Sequence, residues 1–213
     1  MEEGFGDGDF ANVHMSTSAT SINVQQLLPC QNEIGLGNSL DYALSGKCGV
    51  DTYFNDPVTV VAPIVTYMGN FIIDGHHRWS QAYMFNPHAN ISAINFSYSE
   101  GSPWRALRNF QGAIAVAEGE VPSSSADVAN VYAMDESSIR DHIESVMVDS
   151  CVEGLSNQVD EVDDWESAVQ YLLANIDMLK SDNYPIANAP DRDAMPQTTP
   201  EAIDVMEEGQ TNI

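Results

Sequence analysis

The sequence predicts an α+β fold: a small mixed sheet with helices, followed by an acidic α-helical C-terminal region. Three observations favour this class over an all-α fold. Short β-branched segments end at turn residues, amphipathic helical patterns alternate with them, and acidic residues concentrate in the second half of the chain. A chain of 213 residues, 43% of them hydrophobic, is long enough to bury a core.

The first part of the chain is predicted to contain a flexible arm and the start of a domain. Residues 1–18 are rich in Gly, Asp, Ser and Thr and predict the arm, and the domain is expected to cover 19–120. The alternation at residues 21–24 predicts a short strand that ends in a turn. Residues 38–45 predict one or two helical turns with Asn38 or Ser39 as the N-cap.

A strand pair and a helix are predicted next. Residues 58–67 are β-branched and predict a strand that Pro63 must interrupt or place at an edge. Residues 70–74 predict a second strand, a helix follows from residue 76 and stops before Pro87, and residues 91–98 alternate like a third strand.

The second half is predicted to be an acidic helical region, 121–213. Pro103 opens a helix before it, and residues 122–125 form a linker. Two apolar stripes at helical spacing then follow: Ile139, Ile143, Val146 and Met147, and Trp165, Val169, Leu172, Leu173, Ile176 and Leu179. The acidic run 160–164 is expected to stabilise the start of the second helix, and prolines after Tyr184 predict an extended tail.

Charge and cysteine content restrict the partners. Seven Lys and Arg oppose 32 Asp and Glu, a net charge of −25, of which −19 belongs to residues 113–213. Such a chain is repelled by phosphate backbones and anionic membranes, so nucleic acid is not an expected partner. No run of roughly 18 apolar residues predicts a membrane span. Cys30, Cys48 and Cys151 are widely spaced, which predicts free thiols. The acidic start lacks the pattern of a secretion signal, so a cytoplasmic location is expected.

The segment from Asp74 to Arg78 contains residue types that can bind phosphate, hold Mg²⁺ and accept a proton. A strand ends at Asp74 and Gly75, and a helix follows at once, so unpaired N–H groups and the helix dipole can attract phosphate. Arg78 can contact phosphate oxygens, and His76 and His77 are expected to add donors that titrate near neutral pH. Asp74 can hold Mg²⁺ or accept a hydroxyl proton.

A structural interpretation competes with this one. In it, Asp74 serves only as a helix cap, and both histidines lie on the helix surface as solvated or satisfied groups. Arg105, Arg108 and Arg192 are expected to form ordinary ion pairs with nearby carboxylates.

The sequence FIIDGHHRW at residues 71–79, preceded by PVTV and YMGN, resembles the ParB/sulfiredoxin superfamily, whose signature is a strand, a Gly-x-x-Arg turn and a helix. Residues 22–29 (INVQQLLP) are similar to the opening strand and turn of that superfamily. The resemblance covers about residues 20–100, and the DGHHR form looks closest to free-serine-kinase-like and ParB-like nuclease-domain members.

The resemblance implies a nucleotide-handling fold that supports CTP hydrolysis in partition proteins, sulfinic acid phosphorylation in sulfiredoxins and serine phosphorylation in the kinases. This chain has His76 where sulfiredoxins have a cysteine, and an acidic region where partition proteins have a basic one. Asp74 and Glu33 match the acids of the kinase-like members. The resemblance therefore implies that Gly75, His76, His77 and Arg78 bind the phosphates of ATP or ADP, with Mg²⁺ at Asp74.

The sequence thus leaves three competing hypotheses for the function. The first is phosphoryl transfer to a small hydroxyl-bearing acceptor or a protein, or NTP hydrolysis, with Asp74, Glu33 and His77 as catalytic residues. The second is a ParB-like nuclease or DNA-associated protein, which the net charge opposes. The third is a non-enzymatic interaction or structural protein, with a phage-like composition, whose acidic half binds a basic partner or mimics the charge of DNA.

Overall fold

The computed structural model describes residues 15–98, 103, 106, 107 and 129–192. In these ranges the chain forms a five-stranded mixed sheet and five α-helices, which confirms the α+β class. The strands are β1 (Met15–Asn23), β2 (Leu28–Pro29), β3 (Ile64–Tyr67), β4 (Phe71–Asp74) and β5 (Asn90–Tyr98). The helices are α1 (Leu36–Leu44), α2 (His76–Phe85), α3 (Glu136–Val146), α4 (Asp149–Ser156) and α5 (Trp165–Asp182). Short 3-10 helices lie at Val24–Gln26, Val50–Phe54 and Val131–Ala133.

The order of the strands is β1-β5-β3-β4-β2. β4 is parallel to β2 and antiparallel to β3, and β3 is parallel to β5. Parallel strands end at the same edge of a sheet, so the loop after β2 and the turn after β4 are neighbours. The loop before β3 joins them, because Val65 pairs with Asp74. Three segments of the chain therefore meet at one edge.

Two strand predictions need correction. β1 begins at Met15, so residues 15–18 belong to a strand and not to the predicted arm; nine paired positions with β5 extend it. Only residues 64–67 of the predicted strand 58–67 pair regularly, because Pro63 ends the ladder and Val58 forms an isolated bridge.

The helix predictions agree more closely with the structure. α1, α2, α3 and α5 were expected, although α1 is preceded by Gly35 and not capped by Asn38 or Ser39. α4 was not expected, since eight residues that include Gly154 give a weak helical pattern. The helix expected from Pro103, with Arg105 and Arg108, and the linker 122–125 lie largely or wholly outside the described residues.

One hydrophobic cluster joins both halves of the chain. It contains Trp79 and Tyr83 of α2 together with Leu172 and Ile176 of α5. The acidic helices therefore pack onto α1, α2 and the 3-10 helix Val50–Phe54, and the boundary expected at residue 120 does not separate two cores. Every carboxylate in residues 135–182 is exposed, so the charge lies on the outer surface of these helices. No helix in the described part of the chain is long and apolar enough to span a membrane.

Candidate functional site

The turn at the start of α2 is tight. Gly75 precedes the helix with φ of 91°, the left-handed region, and no side chain caps the helix by a hydrogen bond. A Cβ at Gly75 would lie 2.8 Å from Ile64 Cγ2 and 2.9 Å from Arg78 Nη2. Only glycine therefore fits the space between β3 and the Arg78 guanidinium. The alternative in which Asp74 caps the helix is not what the structure contains.

Both histidines of this turn accept hydrogen bonds from the loop after β2. The Cys30 N–H donates to His76 Nε2 at 3.1 Å, and the Gly35 N–H donates to His77 Nε2 at 3.2 Å. An Nε2 that accepts must be unprotonated, so each ring is held in its neutral form. The two rings thereby attach both ends of the loop, residues 30–35, to α2.

Burial keeps these rings neutral. Burial and then the positive charges of His77 and Arg78 lower the pKa of His76 to about 3, although a hydrogen bond with the Ile72 backbone opposes the shift. Burial and then Arg192 lower the pKa of His77 to about 4. The expectation that both rings titrate near neutral pH is therefore wrong, because their desolvation disfavours the charged form.

Arg78 makes three contacts at the sheet edge. Its Nη2 donates to Asp74 Oδ2 at 2.7 Å, and its Nη1 donates to the carbonyls of Ala62 and Pro63 at 3.1 and 2.9 Å. The side chain of Arg78 is 23% exposed and that of Asp74 is 45% exposed. The pair is thus open to solvent on the Asp74 side. Val61, next to these carbonyls, is exposed and has φ of 66°, which is unusual for a β-branched residue.

Glu33 has a different partner. Its Oε2 accepts the backbone N–H of Arg192 at 2.8 Å. The segment 186–192, here named the C-terminal strap, lies along the loop after β2: the Ile186 N–H donates to the Pro29 carbonyl and the Asn32 N–H to the Pro190 carbonyl. Glu33 and Asp74 are therefore held at the same edge by separate interactions, one with the strap and one with Arg78.

Sequence reasoning missed the position of Arg192. The sequence places it in an acidic tail, whereas in the structure its backbone N–H donates to Glu33 Oε2 and its charge lowers the pKa of His77. No local pattern predicts this contact, because Arg192 and Glu33 are 159 positions apart in the chain. Cys30, in contrast, is an inert part of the site, since burial raises the pKa of its thiol to about 12.

A metal ion at this edge would need ligands besides protein carboxylates. Among the described residues, no group of three His, Cys, Asp or Glu side chains could hold one. Mg²⁺ is commonly bound by one or two carboxylates together with substrate phosphates and water. The half-exposed Asp74 fits that arrangement as a single carboxylate ligand.

Comparison with known proteins finds no match. No family model matches the chain, and no curated protein or solved structure matches it either. The functional interpretation therefore depends on the geometry of the site and on the short sequence motif.

Proposed function

We propose that this chain is a nucleotide-binding, ParB/sulfiredoxin-like protein that transfers a phosphoryl group or hydrolyses an NTP. The turn at Gly75 supports the proposal most directly. A left-handed glycine opens α2, no side chain caps the helix, and a guanidinium lies within 3.0 Å of the position that a Cβ would take. A phosphate group at this turn would contact backbone N–H groups and an arginine together.

The local charge supports an anionic ligand despite the net charge of −25. The helix dipole adds positive potential at the start of α2, and Arg78 adds a full charge. The charge of Arg78 is also one cause of the lowered pKa of His76, so its effect reaches that buried ring. The excess of carboxylates lies elsewhere, on the outer surface of the helices in residues 135–182.

The phosphate would compete with Asp74 for Arg78. Arg78 Nη2 donates to Asp74 Oδ2 at 2.7 Å. A phosphate oxygen that takes this donor leaves the Asp74 carboxylate available to Mg²⁺ or to the hydroxyl of an acceptor. Glu33 is the second candidate for the proton-accepting role. His76 and His77 then position the loop after β2 and do not transfer protons.

Nucleotide binding is the first test. Wild-type protein is titrated calorimetrically with ATP, ADP, CTP and GTP in the presence of Mg²⁺, and phosphate release or transfer to serine is followed by phosphorus NMR. Arg78→Gln should weaken binding at least about tenfold, since it removes a charged hydrogen bond. Arg140→Gln is the matched control, because Arg140 pairs with Glu144 and Glu166 on α3 and α5, away from the turn.

The outcomes separate clearly. Thermal unfolding of each variant verifies that it is folded. Binding that is lost in Arg78→Gln and kept in Arg140→Gln supports the proposal. Wild-type protein that binds none of the four nucleotides contradicts it.

A second candidate is binding of a basic partner by the acidic helices. The observation in its favour is that every carboxylate of residues 135–182 is exposed. Titration with a lysine-rich peptide, compared between wild type and a variant with Asp160→Asn, Glu161→Gln and Asp163→Asn, tests it. Equal affinity of both proteins for the peptide would argue against this candidate.

A further inference from the structure

We propose that Cys48 and Cys151 are a redox-sensitive pair, which hydrogen peroxide converts into a disulfide that links the two halves of the chain. The inference goes beyond the proposed function and does not depend on it, since neither cysteine lies at the turn before α2. All three cysteines are free thiols in the structure, which is therefore that of the reduced protein.

The stretch of chain around Cys48 runs along α4. A Cβ at Gly46 would lie 3.0 Å from Ser150 Oγ, and a Cβ at Gly154 would lie 2.9 Å from Val50 Cβ. Gly46 and Val50 stand two positions before and after Cys48, and they contact successive turns of the helix. Cys48 therefore lies between two points at which the chain touches α4.

Cys151 lies on the face of α4 that meets this stretch. Residues three and four positions apart share a helix face, so Ser150 and Gly154 are on one face, and Cys151, three positions before Gly154, is beside them. The Cβ atoms of two linked cysteines are about 3.5–4.5 Å apart. The distance of 2.9 Å at Gly154 shows that the two segments approach at least this closely. The geometry thus places Cys48 opposite Cys151.

The two thiols differ in their access to solvent. Cys151 is 1% exposed and belongs to the hydrophobic cluster that the two halves share, while Cys48 is half-buried and packs against that cluster. Burial raises the pKa of the Cys151 thiol to about 12, so it carries its proton at neutral pH. The Cys48 Sγ contacts the Gly49 carbonyl and Thr52 Oγ1, each at 3.5 Å. Cys48 is therefore the thiol that a dissolved oxidant reaches first.

The electrostatics of Tyr53 agree with this placement. Tyr53 belongs to the 3-10 helix that follows Cys48, and its side chain is buried. Burial and then Cys48 raise the pKa of its phenol, and Tyr42 and Cys151 contribute less. Both thiols thus act on one buried hydroxyl group, as neighbours would.

The reaction has two steps. The Cys48 thiolate attacks a peroxide oxygen, so that an S–O bond forms, the O–O bond breaks and hydroxide leaves, which gives a sulfenic acid. The Cys151 sulfur then attacks the Cys48 sulfur, so that an S–S bond forms, the S–O bond breaks and the departing hydroxide takes the Cys151 proton as water. Two thiols and one hydrogen peroxide become one disulfide and two water molecules, and two electrons pass from the sulfurs to the peroxide.

Peptide mapping tests the link directly. The reduced full chain is treated with hydrogen peroxide, alkylated with iodoacetamide and digested with trypsin without reductant. Trypsin puts the three cysteines into different peptides, since it cleaves after Lys47, Arg78, Arg140 and Lys180. We expect the peptide 48–78 joined to the peptide 141–180, and an intact protein that has lost two hydrogen atoms.

Two variants serve as comparison. Cys48→Ser should give no linked peptide. Cys30→Ala is the matched control and should give the same linked peptide as wild type, because Cys30 is buried in a second hydrophobic cluster with Tyr67, Ile73 and Phe96.

Thermal unfolding of the wild-type protein is a second measurement that does not depend on the stability of a variant. A disulfide that closes a loop of about 100 residues restricts the unfolded chain, so the oxidised protein should unfold at a midpoint about 5–15 °C above that of the reduced protein. Dithiothreitol should reverse the shift. Cys48→Ser should show no shift on treatment with peroxide.

The outcomes are distinct. The linked peptide together with the reversible shift supports the proposal. Three thiols that all remain open to iodoacetamide in unfolded, peroxide-treated protein overturn it, and so does a disulfide that joins two chains or includes Cys30. Neither result bears on nucleotide binding at the turn before α2.

Discussion

At the residue scale, two neutral histidines determine how the site is built. His76 and His77 each accept a backbone N–H from the loop after β2, and their burial lowers the pKa of both rings. Protonation of either ring would place a proton on the accepting Nε2, which would then no longer accept, and break the bond to the loop. The attachment of the loop to α2 therefore depends on pH.

The His77 ring should make stability depend on pH. Its pKa is about 4 in the folded protein, against 6.5 for an ordinary histidine. As the pH falls from 6.5 towards 4, the unfolded chain binds a proton that the folded chain does not. The free energy of unfolding should therefore fall by about 1.4 kcal/mol per pH unit for this group, and by about 2 kcal/mol between about pH 7 and about pH 5.

Urea unfolding at the two pH values measures this effect. His77→Gln keeps an acceptor for the Gly35 N–H and cannot titrate, so it should lose about 2 kcal/mol less than wild type between those pH values. The exposed His88, changed to Gln, is the control and should leave the pH dependence unchanged. An unchanged pH dependence in His77→Gln would show that folding does not lower the pKa of the His77 ring.

Gly75 should be the most sensitive backbone position of the site. Gly75→Ala forces an L side chain into φ of 91° and places its Cβ 2.8 Å from Ile64 Cγ2. Gly69→Ala is a matched control, because Gly69 has φ of 83° and no atom within 4 Å of an added Cβ. We expect Gly75→Ala to lower the free energy of unfolding by about 1–3 kcal/mol more than Gly69→Ala, as measured by urea unfolding. Equal losses would mean that the space beside Ile64 and Arg78 adapts without cost.

Local sequence predicted the elements of the candidate site but not the contacts of its residues. The pattern from Asp74 to Arg78 indicates a strand, a glycine turn and a helix, and the structure has all three. The partners of His76 and His77 lie 46 and 42 positions earlier in the chain, where no local pattern points to them. Burial by distant segments changed the expected donors into acceptors.

At the scale of elements, α5 completes the C-terminal end of α2. The last carbonyls of a helix have no partner within the helix. Asn175 Nδ2 donates to the Met84 carbonyl and the Tyr171 hydroxyl donates to the Phe85 carbonyl, both at 2.9 Å. The apolar stripe of α5 was predictable from its spacing. These polar contacts were not, because the sequence does not show that α5 packs against α2.

Removal of one such donor should be costly. Asn175 is buried, so Asn175→Ala leaves the Met84 carbonyl without its partner and should lower the free energy of unfolding by about 1–3 kcal/mol. Asp177→Ala is the control, because Asp177 is an exposed residue of the same helix. Urea unfolding measures both. Equal stabilities of the two variants would mean that the carbonyl finds another donor.

At the scale of the whole molecule, the two halves share one hydrophobic cluster and one site edge. The cluster contains residues from β1 to α5, and the strap returns to the loop after β2. The uneven distribution of charge predicts a separate solvated region. It shows where carboxylates lie along the chain, but it does not show which faces of the helices are apolar and packed. The sheet class and most helices were predictable, but the packing of the acidic helices onto α2 was not.

A fragment without the second half should therefore not fold cooperatively. Truncation after residue 128 removes α3, α4 and α5, and it exposes the surface of α2 that α5 covers and the surface of α1 that α3 covers. We expect the fragment to lack the sharp thermal transition of the full chain by circular dichroism and to show poorly dispersed amide NMR signals. A fragment with the same unfolding midpoint as the full chain would contradict the shared core.

The strap also constrains the order in which the chain can fold during its synthesis. The loop of residues 30–35 leaves the ribosome early, but its bonds to Pro190 and Arg192 join it to residues that are translated much later, and the Glu33 contact spans 159 positions. A nascent chain cannot close this loop until residue 192 has emerged. Closure of the loop should therefore be one of the last steps in the folding of the growing chain.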